Sequence, residues 1–167
     1  GKEVWFSRSV AVSGIIFLIK GNEIYILIGK RGKAAADFQG YWNLPCGYLD
    51  RDETLTECFK REVYEETGFD IDKMLKKQPA IDKYNNLDFP FRIHDDPKTS
   101  NRQNVTMFYS VGFWIENQET PLPKLTTENN DVIDEVDGLM WMHQDDIDEY
   151  DFAFNHKDRI NDFIRDF

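Results

Sequence analysis

The feature that most constrains the fold is residues 54–67, which have the pattern of an amphipathic helix with carboxylates beside its apolar stripe. Thr54 followed by Glu57 forms a capping-box pattern at the start, and Gly68 is a typical stop signal. The apolar side chains recur at every fourth position and predict one buried face: Leu55, Phe59 and Val63. The fold must therefore bury this face while accommodating the glutamates next to it.

Three glutamates of this helix lie close to the face that should be buried. At about 100° per residue, Glu62 and Glu66 fall within about 20° of Leu55, and Glu65 lies about 80° to one side. Like charges four residues apart repel, and the last turn of a helix favours cations, so this placement costs about 1 kcal/mol. A divalent cation would relieve the repulsion, and clustered carboxylates suit Mg²⁺ or Mn²⁺. On charge alone, a solvated acidic face paired with lysines elsewhere is an equal alternative.

Strand and turn patterns surround this helix. Residues 10–20 and 24–29 are rich in β-branched and aromatic side chains, and a turn signal between them predicts a β-hairpin. The later patterns are weaker strand signals within 83–96, a long strand at 104–116, a loop at 117–134, a short strand at 139–142 and helix in two pieces over 144–167. This order predicts an α+β fold with a mixed sheet, in a single domain over 1–167.

Composition narrows the range of partners. A hydrophobic fraction of 41% and an aromatic fraction of 14% indicate a globular chain. The net charge of −11 argues against a nucleic-acid backbone or an anionic membrane as main partner, although a bound cation would still admit small phosphorylated ligands. Cys46 and Cys58 are predicted to be free thiols. Without a membrane-spanning apolar run or a signal-peptide pattern, a cytoplasmic location is expected.

The stretch from residue 47 to 69 resembles the Nudix box, G-x5-E-x7-R-E-U-x-E-E-x-G-U, in which U is a bulky apolar residue. Every specified position is filled, by Gly47, Glu53, Arg61, Glu62, Val63, Glu65, Glu66, Gly68 and Phe69. Upstream, GYWNLPCGYLD is similar to the lead-in of that family, with Cys46 in place of the usual glycine. Downstream, DEVDGLMWM resembles the segment that supplies a further acidic ligand, and FAFNH at 152–156 resembles a segment of ADP-ribose-type members.

The resemblance implies an α/β/α sandwich in which a loop–helix–loop motif holds one or more Mg²⁺ ions, with Mn²⁺ as a substitute. The implied metal ligands are Glu62, Glu65, Glu66, the Gly47 carbonyl and, outside the box, Glu135, with Asp134 and Asp131 as alternatives to Glu135. Arg61 would orient a carboxylate through charge-assisted hydrogen bonds, with Glu53 as its partner. Glu62 could also be the base that activates water, although the base varies across this family. The implied catalytic residues are Glu53, Arg61, Glu62 and Glu65.

Substrate-binding candidates lie outside the helix of the box. Arg31 and Arg102 could touch phosphate, or could serve only as surface charges. Tyr41, Trp42 and Tyr48 could stack on a base or ribose, although packing in the core is the commoner fate of such aromatics. His156 is expected to be a surface or capping histidine. Specificity is expected in the loops 32–40, 84–102 and 117–134.

The expected activity is Mg²⁺-dependent hydrolysis of the pyrophosphate bond in a nucleoside diphosphate-linked small molecule, with ADP-ribose or a nucleotide sugar as the first substrates. Hydrolysis of a nucleoside triphosphate is the second hypothesis. A nucleotide-sensing domain without turnover is the alternative from a different class, and the complete set of box glutamates argues against it. A homodimer is left open.

Overall fold

A computed structural model describes residues 3, 7–81, 83, 87–98 and 102–167 of the chain. The sheet is built on the predicted hairpin, in which β1, Val10–Lys20, pairs antiparallel with β2, Glu23–Arg31. Gly21 makes the turn with a φ of 64°, which glycine adopts without the steric penalty of a side chain. The second strand is longer than predicted because its polar end also pairs with later strands.

Within the described residues, further strands extend this hairpin: β3 at Trp42–Asn43, β4 at Cys46–Tyr48, β5 at Arg92–His94, β6 at Val105–Ile115 and β7 at Val136–His143. The order is β3-β2-β1-β6-β5, with β4 also on β1 and β7 also on β2. β1 runs parallel to β6 in a register that begins at Val10↔Val105, while the other pairs are antiparallel. The predicted mixed sheet is confirmed.

Helices cover both faces of the sheet. α1, Leu55–Thr67, and α2, Ile71–Lys77, pack on one face, while α3, His156–Asp166, and the 3₁₀ helix Gln144–Glu149 pack on the other. Successive side chains of β1 alternate between two cores. Ile16 and Leu18 join the core under α1, and Phe17 joins the core under α3. The α/β/α sandwich is therefore confirmed.

The predicted helix 54–67 is present with the predicted boundaries. Thr54 is the N-cap, its side chain and that of Glu57 exchange the capping-box hydrogen bonds, and Gly68 ends the helix at a φ of 70°. Phe59 and Val63 are buried, and Leu55 packs at the margin of the same core. The buried face of α1 thus fixes the direction in which the neighbouring glutamates point.

Other predictions needed correction at their edges. α2 was not predicted, since seven residues carry little periodic signal; Asp70 caps it by accepting a hydrogen bond from the Lys73 amide. Among the described residues, the weak strand signal in 83–96 corresponds only to β5. Parts of the expected loop 84–102 lie outside the described residues, which lack 82, 84–86 and 99–101. Across the described part of the chain, no helix combines the length and apolarity needed to span a membrane.

Candidate active site

Arg61, on α1, is the centre of a network that joins the helix to the loop before it. Its Nε and Nη2 donate to the two carboxylate oxygens of Glu53 at 2.9 and 2.6 Å. Its Nη1 donates to Glu62 at 2.9 Å and to Glu65 at 3.1 Å, and Nη2 also reaches the Tyr48 carbonyl at 3.1 Å. We call these four side chains, Glu53, Arg61, Glu62 and Glu65, the Arg61 hub.

The predicted pairing of Glu53 with Arg61 is present. The hydrogen bonds from Arg61 lower the pKa of Glu53 to about 2, and the Asp50 amide donates a further bond at 2.9 Å. The links from Arg61 to Glu62 and Glu65 were missed, although the spacing of four between Arg61 and Glu65 is an available signal. The helix carboxylates therefore have one protein cation among them, which the charge argument from sequence did not include.

The backbone of Gly47 leaves room for the Glu62 carboxylate. A Cβ built on Gly47 would lie 2.0 Å from Cδ of Glu62, so a side chain at this position would displace the Glu62 carboxylate. Burial raises the pKa of Glu62 to about 7; Arg61 opposes this rise, and the charges of Glu65 and Glu135 add to it. The backbone of Gly47 and the carboxylate of Glu62 thus adjoin.

Glu66 lies on the same side of α1 and is tied to the strand that precedes the helix. Its Oε2 accepts a hydrogen bond from the Cys46 amide at 3.0 Å. Burial and then the charge of Glu62 raise the pKa of Glu66 well above its usual value. Cys46, at the position where the family usually has glycine, supplies only its backbone to this contact, and its thiol and that of Cys58 are free as predicted.

Glu135 approaches the box from the opposite side of the site. The Gly32 amide donates to the Glu135 carbonyl at 2.7 Å, and the Ala34 amide donates to the Asp134 carbonyl at 3.0 Å. These bonds hold the loop after β2 against the residues before β7, and the charge of Glu135 helps raise the pKa values of Glu62 and Glu66. Glu135 is therefore electrostatically coupled to the box, whereas Asp134 and Asp131 are exposed.

The donor set suits a hard divalent cation. The four glutamate carboxylates and the Gly47 carbonyl would all donate oxygen atoms. Burial and nearby like charge raise the pKa values of Glu62 and Glu66, which favours a bound positive ion. A different, tighter group of potential ligands lies at the far end of β2, where atoms of Glu23, His143 and Asp145 are within 4.8 Å of one another. Because the His143 ring already bonds Glu23 and accepts from the Asp145 amide, both of its nitrogens are used within a hydrogen-bonded cluster.

The three predicted substrate-binding residues meet beside the box. Arg31 donates from Nε to the Asp37 carbonyl and from Nη2 to Asp37 Oδ1, both at 2.9 Å. Arg102 donates from Nε to Asp37 Oδ2 at 2.9 Å, and its Nη2 lies 2.8 Å from Oδ1. The guanidinium carbons of Arg31 and Arg102 lie 5.1 and 5.6 Å from the centre of the Phe154 ring. The Tyr48 hydroxyl bonds Asn104 nearby.

Exposed aromatic rings continue this surface. Phe38 contacts Phe154 with ring centres 5.0 Å apart and Tyr41 with centres 5.7 Å apart. Tyr41 and Tyr48 are 42% and 43% exposed, so the expectation that they pack in the core was wrong for both. The surface formed by Arg31, Asp37, Phe38, Tyr41, Arg102 and Phe154 is called the platform. Asp37, Phe38 and Phe154 were not predicted as site residues, and only the FAFNH resemblance pointed towards Phe154.

His156 is buried rather than at the surface, which corrects the sequence expectation. It is 3% exposed, and its Nδ1 accepts a hydrogen bond from the Leu44 amide at 3.0 Å. Burial, reinforced by Arg31 and Arg159, lowers its pKa to about 3. A neutral His156 therefore links the segment that contains the platform residue Phe154 to Leu44, which lies between β3 and β4.

A protein-family model described as "NUDIX domain" matches residues 7–166. An mRNA-decapping enzyme subunit 2 from Arabidopsis thaliana is 32% identical over 116 residues, which are 69% of this chain and 25% of that protein. The chain thus spans about a quarter of the length of this relative.

Two solved structures share the fold. The NUDIX domain of Shewanella oneidensis NrtR complexed with ADP ribose has a TM-score of 0.62 and 17% identity, covering 94% of this chain and 86% of that one. A bifunctional NMN adenylyltransferase/ADP ribose pyrophosphatase from Francisella tularensis, complexed with AMP and a Mn ion, has a TM-score of 0.67 and 19% identity, covering 97% and 42%. At these identities the likeness concerns the fold alone.

Proposed function

The chain belongs to the NUDIX domain family, and we propose that it is a metal-dependent pyrophosphohydrolase that cleaves the diphosphate of a nucleoside diphosphate derivative. The observation that carries this proposal is the Arg61 hub beside Gly47. Arg61 holds the carboxylates of Glu53, Glu62 and Glu65, and Glu62 lies against Gly47 in β4. Each of these residues occupies its position in the Nudix box.

The ligands of the implied cation would be Glu62, Glu65, Glu66, the Gly47 carbonyl and Glu135. Mg²⁺ is the proposed ion and Mn²⁺ its substitute, because both favour carboxylate and carbonyl oxygens. When bound, such an ion neutralises phosphoryl oxygens and makes water a stronger nucleophile near neutral pH. A chain of net charge −11 has a particular need for that neutralisation, since its substrate is also an anion.

The chain's own residues position the reacting groups. Glu53 holds Arg61 through two parallel hydrogen bonds, and Arg61 in turn holds Glu62 and Glu65. Water attacks one phosphorus, the bond from that phosphorus to the bridging oxygen breaks, and Glu62 accepts the proton that the water loses. The products are a nucleoside monophosphate and the phosphorylated second half.

ADP-ribose and nucleotide sugars are the first substrate candidates. The FAFNH segment places Phe154 at the platform, and the fold matches structures whose proteins bind ADP ribose or are named as ADP ribose pyrophosphatases. A second candidate is the capped end of an mRNA, which is favoured by the 32% identity to a decapping enzyme subunit. The net charge of −11 weighs against extended contact with an RNA backbone.

A substrate panel tests the proposal. The protein is incubated with Mg²⁺ or Mn²⁺ and ADP-ribose, NADH, nucleotide sugars, diadenosine polyphosphates, nucleoside triphosphates or a capped RNA, and the products are identified by mass spectrometry. Release of a nucleoside monophosphate that depends on the ion is expected for at least one diphosphate. Binding of a panel member without any cleavage would instead support the sensing function.

Glu65→Gln is the matched variant for this assay. Glu65 makes one hydrogen bond, to Arg61, and its side chain is 33% exposed, so the fold should survive the change. We expect turnover to fall by about 10²-fold or more. Glu57→Gln on the same helix is the control, because glutamine preserves the capping box and turnover should be unchanged. Equal activity of the two variants would contradict the assigned role of Glu65.

A further inference from the structure

The platform brings two cationic groups together in an acidic chain. The guanidinium groups of Arg31 and Arg102 both bond the carboxylate of Asp37. The net charge of the whole chain is −11. Two guanidinium groups on one surface suit an anionic group of a ligand.

The two arginines are held in fixed orientations. Arg102 meets Asp37 through two hydrogen bonds, and Arg31 meets both its carboxylate and its carbonyl. Both guanidinium groups also lie against the ring of Phe154, which is attractive through the quadrupole of the ring. A planar guanidinium held in this way is suited to bind phosphate through paired hydrogen bonds.

The aromatic part of the platform is held exposed by unusual backbone conformations. Phe38 and Phe154 have φ values of 50° and 57°, in the left-handed region that bulky residues rarely adopt. The two residues are nevertheless 44% and 38% exposed, and Phe38 meets both Phe154 and Tyr41 in edge-to-face contacts. Strained backbone that presents apolar rings to solvent is typical of a ligand-binding surface, and flat aromatic rings stack with nucleobases.

Arg31 lies next to the segment that carries a proposed metal ligand. It directly precedes Gly32, whose amide donates to the Glu135 carbonyl at 2.7 Å. The ring of Phe154 contacts Arg31, Phe38 contacts Phe154, and Tyr41 contacts Phe38, so the exposed rings continue the surface from this arginine. A nucleoside monophosphate with its phosphate at Arg31 and its base on the rings can span this surface.

We propose that the platform binds the nucleoside monophosphate half of the substrate, with the base on Tyr41 and Phe38 and the phosphate at Arg31 and Arg102. Asp37 is a positioning residue that orients both arginines. This inference deepens the proposed function and rests on it. It assigns recognition to the nucleoside half, so that the enzyme requires a nucleoside there and accepts varied groups beyond the second phosphate.

Binding of AMP, adenosine and ribose 5-phosphate, measured calorimetrically in EDTA, tests the platform without requiring turnover. AMP should bind at least tenfold more tightly than either fragment, since it alone reaches both parts of the platform. Tyr41→Leu should weaken AMP and adenosine about tenfold and leave ribose 5-phosphate unchanged. Arg102→Gln should weaken AMP and ribose 5-phosphate about tenfold and leave adenosine unchanged.

Two remote variants match these changes in chemistry and exposure. Phe89→Leu alters a ring that is 69% exposed, and Arg165→Gln alters an arginine whose side chain is 67% exposed near the end of α3. Neither should change the binding of any of the three compounds. The proposal is overturned if AMP binds no more tightly than adenosine, or if the platform variants behave like these controls.

Kinetics with a cleaved substrate separate the platform from the proposed function. Asp37→Asn should raise KM about tenfold and change kcat by less than twofold, because the arginines lose their alignment while the Arg61 hub is intact. A fall in kcat with unchanged KM would overturn the positioning role of Asp37. Absence of any hydrolysis by the wild type would refute the proposed function, whereas the AMP pattern in EDTA would still stand or fall by itself.

Discussion

The Arg61 hub and the platform lie side by side, and they are assembled in opposite ways. All side chains of the hub come from residues 53–65, so their arrangement follows from a helix and the loop before it. The platform joins a loop after β2 to Arg102 and to Phe154, which are distant in sequence. In the hub one arginine serves three carboxylates, whereas in the platform one carboxylate serves two arginines. A substitution in one of these clusters can therefore leave the side-chain contacts of the other intact.

The substitution with the largest expected difference between the two clusters is at Gly47. In Gly47→Ala the new Cβ would lie 2.0 Å from the Glu62 carboxylate, so that flexible side chain must move away. Displacement of a catalytic group by about 1 Å costs on the order of 10²-fold in rate. We expect kcat to fall by about 10²-fold, measured with any substrate from the panel, while the AMP affinity of the platform in EDTA stays within twofold.

Gly138→Ala is the matched control, because its new Cβ would meet Lys30 at 3.6 Å, an ordinary contact distance. It should keep wild-type turnover. Melting temperatures should be similar for both variants, since only the end of a side chain obstructs the Cβ at Gly47. If Gly47→Ala turns over at the wild-type rate, the close approach of β4 to Glu62 has no part in catalysis.

The next largest effect shows how much each of the two arginine clusters contributes to the free energy of unfolding. Arg61→Lys removes the paired hydrogen bonds to Glu53, whose side chain is only 13% exposed, along with the links to Glu62 and Glu65. Bonds between charged groups in this setting contribute about 1.5–3 kcal/mol, so a loss of about 2 kcal/mol in the free energy of unfolding is expected. Urea titration of each protein provides the measurement.

Arg102→Lys is the counterpart in the platform. The Arg102 and Asp37 side chains are 31% and 33% exposed, so their ion pair should contribute less than about 1 kcal/mol. The comparison would fail if Arg102→Lys destabilised the protein as much as Arg61→Lys does. In that event the platform would be part of the folding core rather than a surface that recognises a ligand.

The hub is built from residues that are close in sequence and the platform from residues that are distant, and this difference explains which site residues could be predicted from the sequence. Helical spacing alone placed Glu62 and Glu66 beside the buried face of α1, and the box resemblance paired Arg61 with Glu53. Asp37 and Phe38 belong to a loop without periodicity, so only the folded chain shows that Asp37 meets Arg102 and that Phe38 meets Phe154. The boundaries of β1 followed from its β-branched run, whereas α2 was too short to be recognised.

His156 was misjudged for a related reason, since burial of one polar side chain depends on what packs above it. His156 lies between Phe154 and Phe108, and Leu44 is its hydrogen-bond donor. From the sequence, a histidine after asparagine at the start of α3 has the pattern of a helix terminus. The structure makes it the link between the platform segment and the strands of the box.

The smallest expected effect is a pH-dependent change in stability, and it concerns the buried hydrogen bond between Leu44 and His156. Because the native pKa of His156 is about 3 and that of an unfolded histidine is about 6.5, only the unfolded chain takes up this proton between those values. Stability should therefore fall by about 1.4 kcal/mol for each pH unit below about 6.5 from this group alone. In His156→Asn the amide oxygen can still accept from Leu44, and this contribution disappears.

The change in unfolding free energy from pH 6.5 to 4.5, compared between wild type and variant, isolates His156. Glu62 contributes equally to both proteins, and the contribution of Glu53 begins only below about pH 4.5. Parallel pH profiles for the two proteins would show that His156 is protonated as readily in the native state as in the unfolded chain, and that it does not join the two regions as a buried neutral acceptor.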